Sequence, residues 1–507
     1  MKRFRGQNRR GRGQQQGARL PRNAPDIELE IARIGGRGDG IGTARYTITY
    51  ETRDWPVFVP GTLAGEQVRV RPTAATAQGI TAEIIELIRP SPDRAEPVCS
   101  VFRGGQGCGG CAFQHMSEAA YRRTKTDAFT GLLDKAGLKT DILPPVWTAM
   151  AGRRRAKLRY RRTTDSFIIG FAGRGSQFIY PLESCGILSP ALKEVTDALA
   201  GWAAPCFMPG ETGTIQINML SGGADILVQP MQQIPADRLA MLTTGAAASL
   251  TGGAGLVRLA VQPQDADEPV LLLATAEAAV HLDRSVGGQL LYPPPGAFLQ
   301  ASTEAETALV AAVLAAADST DGDPPQNSDR PHIRPHIVDL YCGVGTFSLP
   351  LLGGGASLTG YEADKAAVDA LLAAARTAGF GSRTEGYVRD LNAAPVRADE
   401  LADADIILLD PPRQGAAAQI AELARLGQMS KIPPKVIMVS CNPFTALRDI
   451  KGLEQAGWRV DQVQMIDQFV RTAHTEMVAV LRHPGHQTEA GQTEAGQRIT
   501  DKKGGVR

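Results

Sequence analysis

The sequence contains no apolar run approaching the roughly eighteen residues a membrane span needs, so a chain threaded through a bilayer on helices is not expected. Its first 25 residues hold no acidic side chain and no apolar core of the kind that marks a secretory signal peptide. A cytoplasmic protein is therefore expected. Cysteine is scarce, seven in 507 residues, which argues against a disulfide scaffold in that compartment. With 43% hydrophobic and 21% charged residues the composition is that of a soluble globular protein, and the length calls for two to four domains.

What is present is unevenly placed. The net charge of +1 hides eight basic side chains in residues 1–25 (Lys2, Arg3, Arg5, Arg9, Arg10, Arg12, Arg19 and Arg22), so the remainder is acidic. This Gly/Gln/Arg-rich segment is too polar to fold by itself and reads equally as a nucleic-acid-binding arm or a solubilising tail. Residues 26–90 carry short strand-like runs ("IELEIARI", "VFVP", "EQVRVRP", "TAEIIELIR") between Gly-rich turns, the pattern of a small β-barrel. Residues 91–298 read as a mixed α/β central domain opened by a cysteine cluster. In "TEAETALVAAVLAAA" (303–317), Thr303 and Glu306 stand as a capping box. "DSTDGDPPQNSDRPHIRPH" (318–336) reads as a surface insertion. From 299 to 484, and chiefly from "IVDLY" onward, near-continuous apolar strands alternate with helical stretches, which predicts a doubly wound parallel sheet. Residues 485–507, with "QTEAGQTEAG", read as a disordered tail.

Four strand ends in that last domain bear chemistry. "DLYCGVGTF" (339–347) places Gly343 and Gly345 where backbone approaches a ligand, and Glu362 ends the next strand in position to accept from ribose hydroxyls. The full dinucleotide fingerprint is missing, which favours S-adenosylmethionine over a nicotinamide. "LLDPPRQG" (408–415) brings Asp410 and a rigid Pro-Pro turn to the same crevice. Arg413 stands where amino-group methyltransferases carry a base-stacking aromatic, which argues against methylation of an exocyclic amine. "VSCNPFTALRD" (439–449) then leaves Cys441 at a strand's carboxyl end and a helix's N-terminus, a position expected to lower a thiol's pKa and make it a nucleophile. "DQFVRTAHTEMVAVL" (467–481) brings His474 and Glu476 toward that region. A thiolate adding to C6 of uracil makes C5 nucleophilic, and after methylation a base must remove the C5 proton.

A separate set, Cys99, Cys108, Cys111 and Cys185, has the spacing C-x8-C-x2-C…C, which suits zinc or an iron–sulfur cluster. Cys206 and Cys342 lack such a pattern and are expected to be packed. "AGRRRAKLRYRR" (151–162) is a basic strand, read either as a solvated face or as a phosphate contact.

Together "DLYCGVGTF", "LLDPPRQG", "VSCNPFTALRD" and "TAHTEMVAVL" resemble the RNA uridine-C5 methyltransferases, over residues 26 to about 483. The resemblance implies a class I, Rossmann-like methyltransferase domain at 299–484. It makes Cys441 the nucleophile and Glu476 the C5-proton base. It assigns cofactor contacts to Gln300, Tyr341, Thr346, Glu362, Asp390 and Asp410, beside Gly343 and Gly345. "RAEPVC…CGGCAFQH" is similar to the family's [4Fe–4S] segment, which turns the cysteine reading from zinc to the cluster. Thr346 stands where Asn is common, and "FVRT" where Phe-Pro-x-Thr is common. The N-terminal β module resembles the TRAM domain, an RNA-binding barrel of OB-like kind, which favours 23S ribosomal RNA over the T-loop of transfer RNA. The expected protein is a monomeric enzyme acting on RNA, with no membrane partner; the rival from another class is a non-catalytic RNA-binding assembly factor.

Overall fold

The structure, a computed structural model, describes residue 20 and residues 23–484, apart from 49–50, 103, 105–106, 174–175, 183–184, 251–254, 276–277, 282–287, 319–333 and 431–432. Nearly all of the basic segment, most of the Pro-rich insertion and the whole C-terminal tail thus lie outside the described residues. No described helix is long and apolar enough to cross a membrane. Contacts divide the chain into two units: Met1–Ala128 with Ile169–Gly186 and Arg471–Ala473, and Phe129–Ile168 with Ile187–Val470 and His474–Arg507.

The first unit opens with β1 (Ile27–Glu30), β2 (Arg33–Ile34), β3 (Asp39–Ile48), β4 (Glu51–Pro60), β5 (Gln67–Thr76) and β6 (Gly79–Arg89). They form one sheet in the order β1-β5-β6-β4-β3-β2. Side chains of a strand alternate between faces, and β4 shows the result: Trp55, Val57 and Val59 are buried between exposed or half-buried neighbours. With Ile48, Val68, Val70 and Ile80 they make the unit's core, each aliphatic side chain contributing ~1.5–3 kcal/mol on burial. The "GGRGDGIG" turn needs glycine at Gly38, whose φ is +85° and whose Cβ would lie 2.8 Å from Ala112 Cβ and Phe113 Cε1. Buried Glu66 fastens the chain beyond the sheet. It accepts from Ser91 N–H and from Arg94, and although burial pushes its carboxyl up, the Arg94 guanidinium and the backbone donors hold it below the ordinary carboxylate range.

Helix α1 (Glu118–Ala136) leads to β7 (Asp141–Trp147), β8 (Arg155–Arg162), β9 (Phe167–Ala172), β10 (Ile179–Tyr180) and α2 (Pro190–Ala203). There follow β11 (Thr212–Leu220), β12 (Gly223–Pro230), α3 (Ala236–Leu250), β13 (Leu256–Val261), β14 (Val270–Ala274), β15 (Val280–His281) and β16 (Leu290–Leu291). In the second unit β8, β11, β12, β13 and β14 are neighbours in that order. The basic run lies on β8 as an alternating strand, with Ala156, Leu158 and Tyr160 buried and Lys157, Arg159 and Arg161 exposed.

The same unit holds α4 (Thr303–Asp318), β17 (His336–Leu340), α5 (Ser348–Gly353), β18 (Ser357–Glu362), α6 (Lys365–Thr377), β19 (Thr384–Val388), β20 (Ile406–Leu409), α7 (Ala417–Met429), β21 (Lys435–Ser440), α8 (Pro443–Gln455), β22 (Arg459–Asp467) and β23 (Glu476–Arg482). Its sheet runs β19-β18-β17-β20-β21-β23-β22-β7. On one face Ile437, Val439 and Val478 pack against Leu309, Val310 and Val313 of α4. On the other, Val436, Met438 and Met477 pack against Leu423 of α7 and Ile450 of α8. Cover on both faces is why these strands read as unbroken apolar runs. The expected parallel, doubly wound sheet is corrected in one respect: β23 lies between β21 and β22 and is antiparallel to both.

The capping box is also corrected. Ser302, one residue earlier, caps α4 by accepting from Ala305 N–H at 3.1 Å. Glu306 turns instead to the buried Arg154, 2.5 Å from its Nη2. Burial pushes the Glu306 carboxyl up and Arg154 opposes it. The guanidinium donates onward to the Gln300 carbonyl at 3.3 Å, which fixes the segment leading into α4.

Candidate active site at the carboxyl edge of the sheet

Register brings the sequence candidates to one edge. Leu340 pairs with Tyr361 on β18 and with Leu409 on β20, so the parallel strands end in line. Tyr341 follows β17, Glu362 closes β18, Asp390 lies two residues past β19, Asp410 follows β20 and Cys441 follows β21. Because β23 is antiparallel, its first residue, Glu476, lies at this same edge, with Met477 opposite Ser440. The chain leaves β17 to β18 on one side while β20 flanks it on the other, which makes a topological switch point, where open α/β sheets bind ligands.

The turn after β17 is shaped by three positive φ values: Tyr341 at +66°, Gly343 at +53° and Gly345 at +93°. A Cβ on Gly345 would stand 2.5 Å from Leu371 Cδ1, whereas one on Gly343 would meet open space. Glycine is thus required at 345 for packing and at 343 for conformation, with room left beside it. Gly343 N–H donates to Glu362 Oε2 at 3.1 Å, while Glu362 Oε1 accepts from Ala363 and Asp364 N–H. Asp390 accepts from Asn392 N–H at 3.0 Å. Gln300 is buried, and Thr346 is half-buried at the head of α5.

Two polar atoms in this turn are buried without a hydrogen-bond partner: the Tyr341 hydroxyl and Asp339 Oδ1. Burial pushes the Asp339 carboxyl up to about 7, with Ser348 donating against the rise and Glu362 adding to it. Orphaned polar atoms beside open space and a set of carboxylates suit a polar, cationic ligand.

Cys441 stands at the N-terminus of α8, where Asn442 caps the helix. The expectation that this position lowers the thiol's pKa is corrected: burial, then Glu476 and Asp410, push it up to about 11, against the opposing pull of the Arg413 guanidinium. Burial, with two nearby carboxylates, outweighs one helix terminus. Both are themselves shifted. Burial pushes Glu476 up to about 7 and Asp410 well above the carboxylate range. A general base near neutrality beside a thiol is the pair that addition followed by proton removal requires. His474 is exposed and packs edge-on against Phe469, 6.1 Å between centroids.

The reading of the sequence passed over one residue here. Gln468, just past β22, donates to Glu476 Oε2 at 2.8 Å. Its only sequence signal is a polar residue inside the run that ends at Glu476.

The four-cysteine set lies within the first unit. Burial pushes Cys111 up to about 12, and Cys185, Cys108 and Cys99 all push the same way. Cys108 is raised by burial and by Cys185 and Cys99. Gln114 Nε2 donates to Cys111 Sγ at 3.3 Å, and Gly110 N–H to Cys108 Sγ at 3.4 Å. A small cavity of about 20 Å³ lies against Cys108 and Cys111, lined also by Gly38, Pro60 and Phe102. Among the described residues no three His, Cys, Asp or Glu side chains close around a single metal ion.

Comparison with known proteins bears on this arrangement. Residues 393–483 match the model of the family described as tRNA (Uracil-5-)-methyltransferase. An uncharacterised RNA methyltransferase of Caulobacter vibrioides is 34% identical, across 90% of this chain and 99% of its own. The 23S rRNA (uracil(1939)-C(5))-methyltransferase of Chromohalobacter salexigens is 29% identical, across 92% of each chain. Among solved structures, the Pyrococcus abyssi tRNA (uracil-54, C5)-methyltransferase in complex with S-adenosyl-L-homocysteine matches with a TM-score of 0.62, over 90% of this chain and 100% of that one. At 18% identity this last likeness speaks to the fold alone.

Proposed function

We propose a reaction on one premise: the chain belongs to the family of RNA (uracil-C5)-methyltransferases and is an enzyme of that class. The reaction is methylation of C5 of a uridine in RNA, with S-adenosylmethionine as donor and large-subunit ribosomal RNA as substrate. The observation that carries it is the convergence of Cys441, Glu476 and Asp410 at one sheet edge. A protein that only bound RNA would need neither a thiol nor a buried base there. The ribosomal substrate is supported by the Chromohalobacter relative, similar along nearly its whole length. A transfer-RNA T-loop uridine is the second reading.

The residues present fit the donor. Gly343 borders open space, the Tyr341 hydroxyl and Asp339 Oδ1 lack partners, and carboxylates surround the turn. Gln300, Tyr341, Gly343, Gly345, Thr346, Glu362, Asp390 and Asp410 would hold it. When bound, S-adenosylmethionine supplies an electrophilic methyl group. Cys441 Sγ adds to C6 of a uracil flipped from its stack, and the electron pair pushed toward C5 makes that carbon nucleophilic. Once C5 is methylated, Glu476 takes its proton and the thiol leaves.

Cys99, Cys108, Cys111 and Cys185 would hold a [4Fe–4S] cluster, with a structural task, since the scheme lacks no redox step. Cys108 and Cys111, pushed up by burial and by the neighbouring thiols, are costly to ionise when the site is empty and favoured as thiolates around positive charge. Protein purified without oxygen is expected to be brown, with about four irons and four sulfides per chain. Colourless active protein holding one zinc would overturn the assignment.

The function is tested by mapping 5-methyluridine in ribosomal and transfer RNA from a strain lacking this gene. One ribosomal site should lose its methyl group and regain it on complementation. Loss confined to the T-loop of transfer RNA would select the second reading, and loss from neither RNA would reject both.

A further inference from the structure

The residue just past β22 is an amide whose orientation is fixed from both ends. Gln468 Oε1 accepts Ala301 N–H at 2.8 Å, so its Nε2 faces the other way, toward Glu476 Oε2, also at 2.8 Å. Gln468 is 4% and Glu476 2% exposed, so water does not compete for either group. An oxygen that accepts this N–H can be a carboxylate oxygen or the carbonyl oxygen of a carboxylic acid, but not the hydroxyl facing the donor. The amide can therefore keep a hydrogen bond in both protonation states of Glu476, stronger to the carboxylate, provided that the proton goes to the other oxygen.

We propose that Gln468 is a positioning residue: by occupying Oε2 of Glu476 it dedicates Oε1 to removal of the C5 proton. The assignment rests on the reading of Glu476 as the base and deepens it. In that step an Oε1 lone pair takes the proton from C5. The C–H electron pair becomes the C5=C6 double bond, and the C6–Sγ bond breaks with its electrons going to Cys441. The groups facing Glu476 are Gln468 from the end of β22, Arg413 and Asp410 beyond β20, and Cys441 beyond β21. Gln468 and Arg413 favour the ionised carboxylate, and burial opposes them. The Ala301 bond gives the same amide a second task. It ties the base to the backbone one residue past Gln300, among the proposed donor contacts.

Two substitutions separate these tasks. Gln468→Leu removes both bonds. Gln468→Glu keeps the shape and an acceptor for Ala301 N–H, but it has no donor for Glu476 unless the two carboxyl groups share a proton. The assay uses a large-subunit ribosomal RNA fragment tritiated at uracil C5, with S-adenosylmethionine. It follows covalent adduct formation on denaturing gels and tritium release to water. Both variants are expected to form adduct at near the wild-type rate and to release tritium about 10- to 100-fold more slowly. The midpoint of the pH dependence of release should move upward in both, because a donor to the charged form has been lost. Wild-type release and an unmoved midpoint in Gln468→Glu would show that the amide only holds the Ala301 loop, overturning the proposal. Wild-type protein that releases no tritium to water would overturn the proposal together with the reading beneath it.

Discussion

Cys441→Ala is expected to abolish 5-methyluridine formation, by about 10⁴-fold or more, while the affinity for S-adenosylhomocysteine stays within about twofold. Uracil C5 is too poor a nucleophile to take a methyl group unassisted, and without Sγ nothing raises its electron density. Alanine removes only that atom from the head of α8. The Asn442 cap and the bond from Asn442 Nδ2 to the Arg413 carbonyl do not involve the thiol, which meets that turn through the Arg413 side chain. Transfer of tritiated methyl groups to RNA measures the loss, and calorimetry with the product cofactor measures what is kept. Substantial 5-methyluridine from the variant would remove Cys441 from the reaction. With the thiol at about 11, on the order of one molecule in ten thousand is ionised at neutral pH. Adduct formation by the wild-type enzyme should therefore still be climbing with pH well above 8.

Glu476→Gln is expected to uncouple the two halves of the reaction. The thiol still adds and the methyl group still arrives, but an amide cannot take the C5 proton. A protein–RNA adduct should accumulate and survive denaturing electrophoresis, with release slowed about 10²- to 10⁴-fold. In the wild type the release step should rise with pH through about 7, because only the deprotonated carboxylate acts as base. The glutamine variant should lose that dependence. Fast turnover with no adduct would mean that water or another group takes the proton.

What the sequence could reveal followed from whether one segment contained the whole signal. "KVIMVS" announces a strand covered on both faces, and Tyr341, Asp410 and Cys441 could be placed because each directly follows such a run. Strand direction is different. Apolar pattern is the same read either way, so nothing in "EMVAVL" told that β23 runs antiparallel, although that reversal is what lays Glu476 beside the thiol. Glu306 sits at capping-box spacing, yet its partner is Arg154, 152 residues away. The thiol's pKa depends on burial, on Glu476 at the start of β23 and on Asp410 and Arg413 beyond β20, so a rule drawn from the helix terminus alone gave the wrong direction. Gln468 was illegible for the same reason: its meaning comes from the Ala301 N–H, which another segment delivers.

The far edge of the sheet bears on how the protein is made. β7 pairs in parallel with β22, Asp141 opposite Gln462, and Thr148 Oγ1 donates to the Asp467 carbonyl, 319 residues later in the chain. At about 5–20 residues synthesised per second, β7 waits roughly 15 to 60 s for its neighbour to be made. Its sequence, "DILPPVW", suits that wait. Pro144 and Pro145 have no N–H to offer, so the unpaired strand is a poor template for a stray chain. The segment that releases β7 from waiting is the one that leads directly into Gln468 and Glu476. A ribosome that stalls before residue 467 thus leaves a chain with Cys441 but without Glu476, the proposed base, and on that reading such a chain would not be catalytically competent.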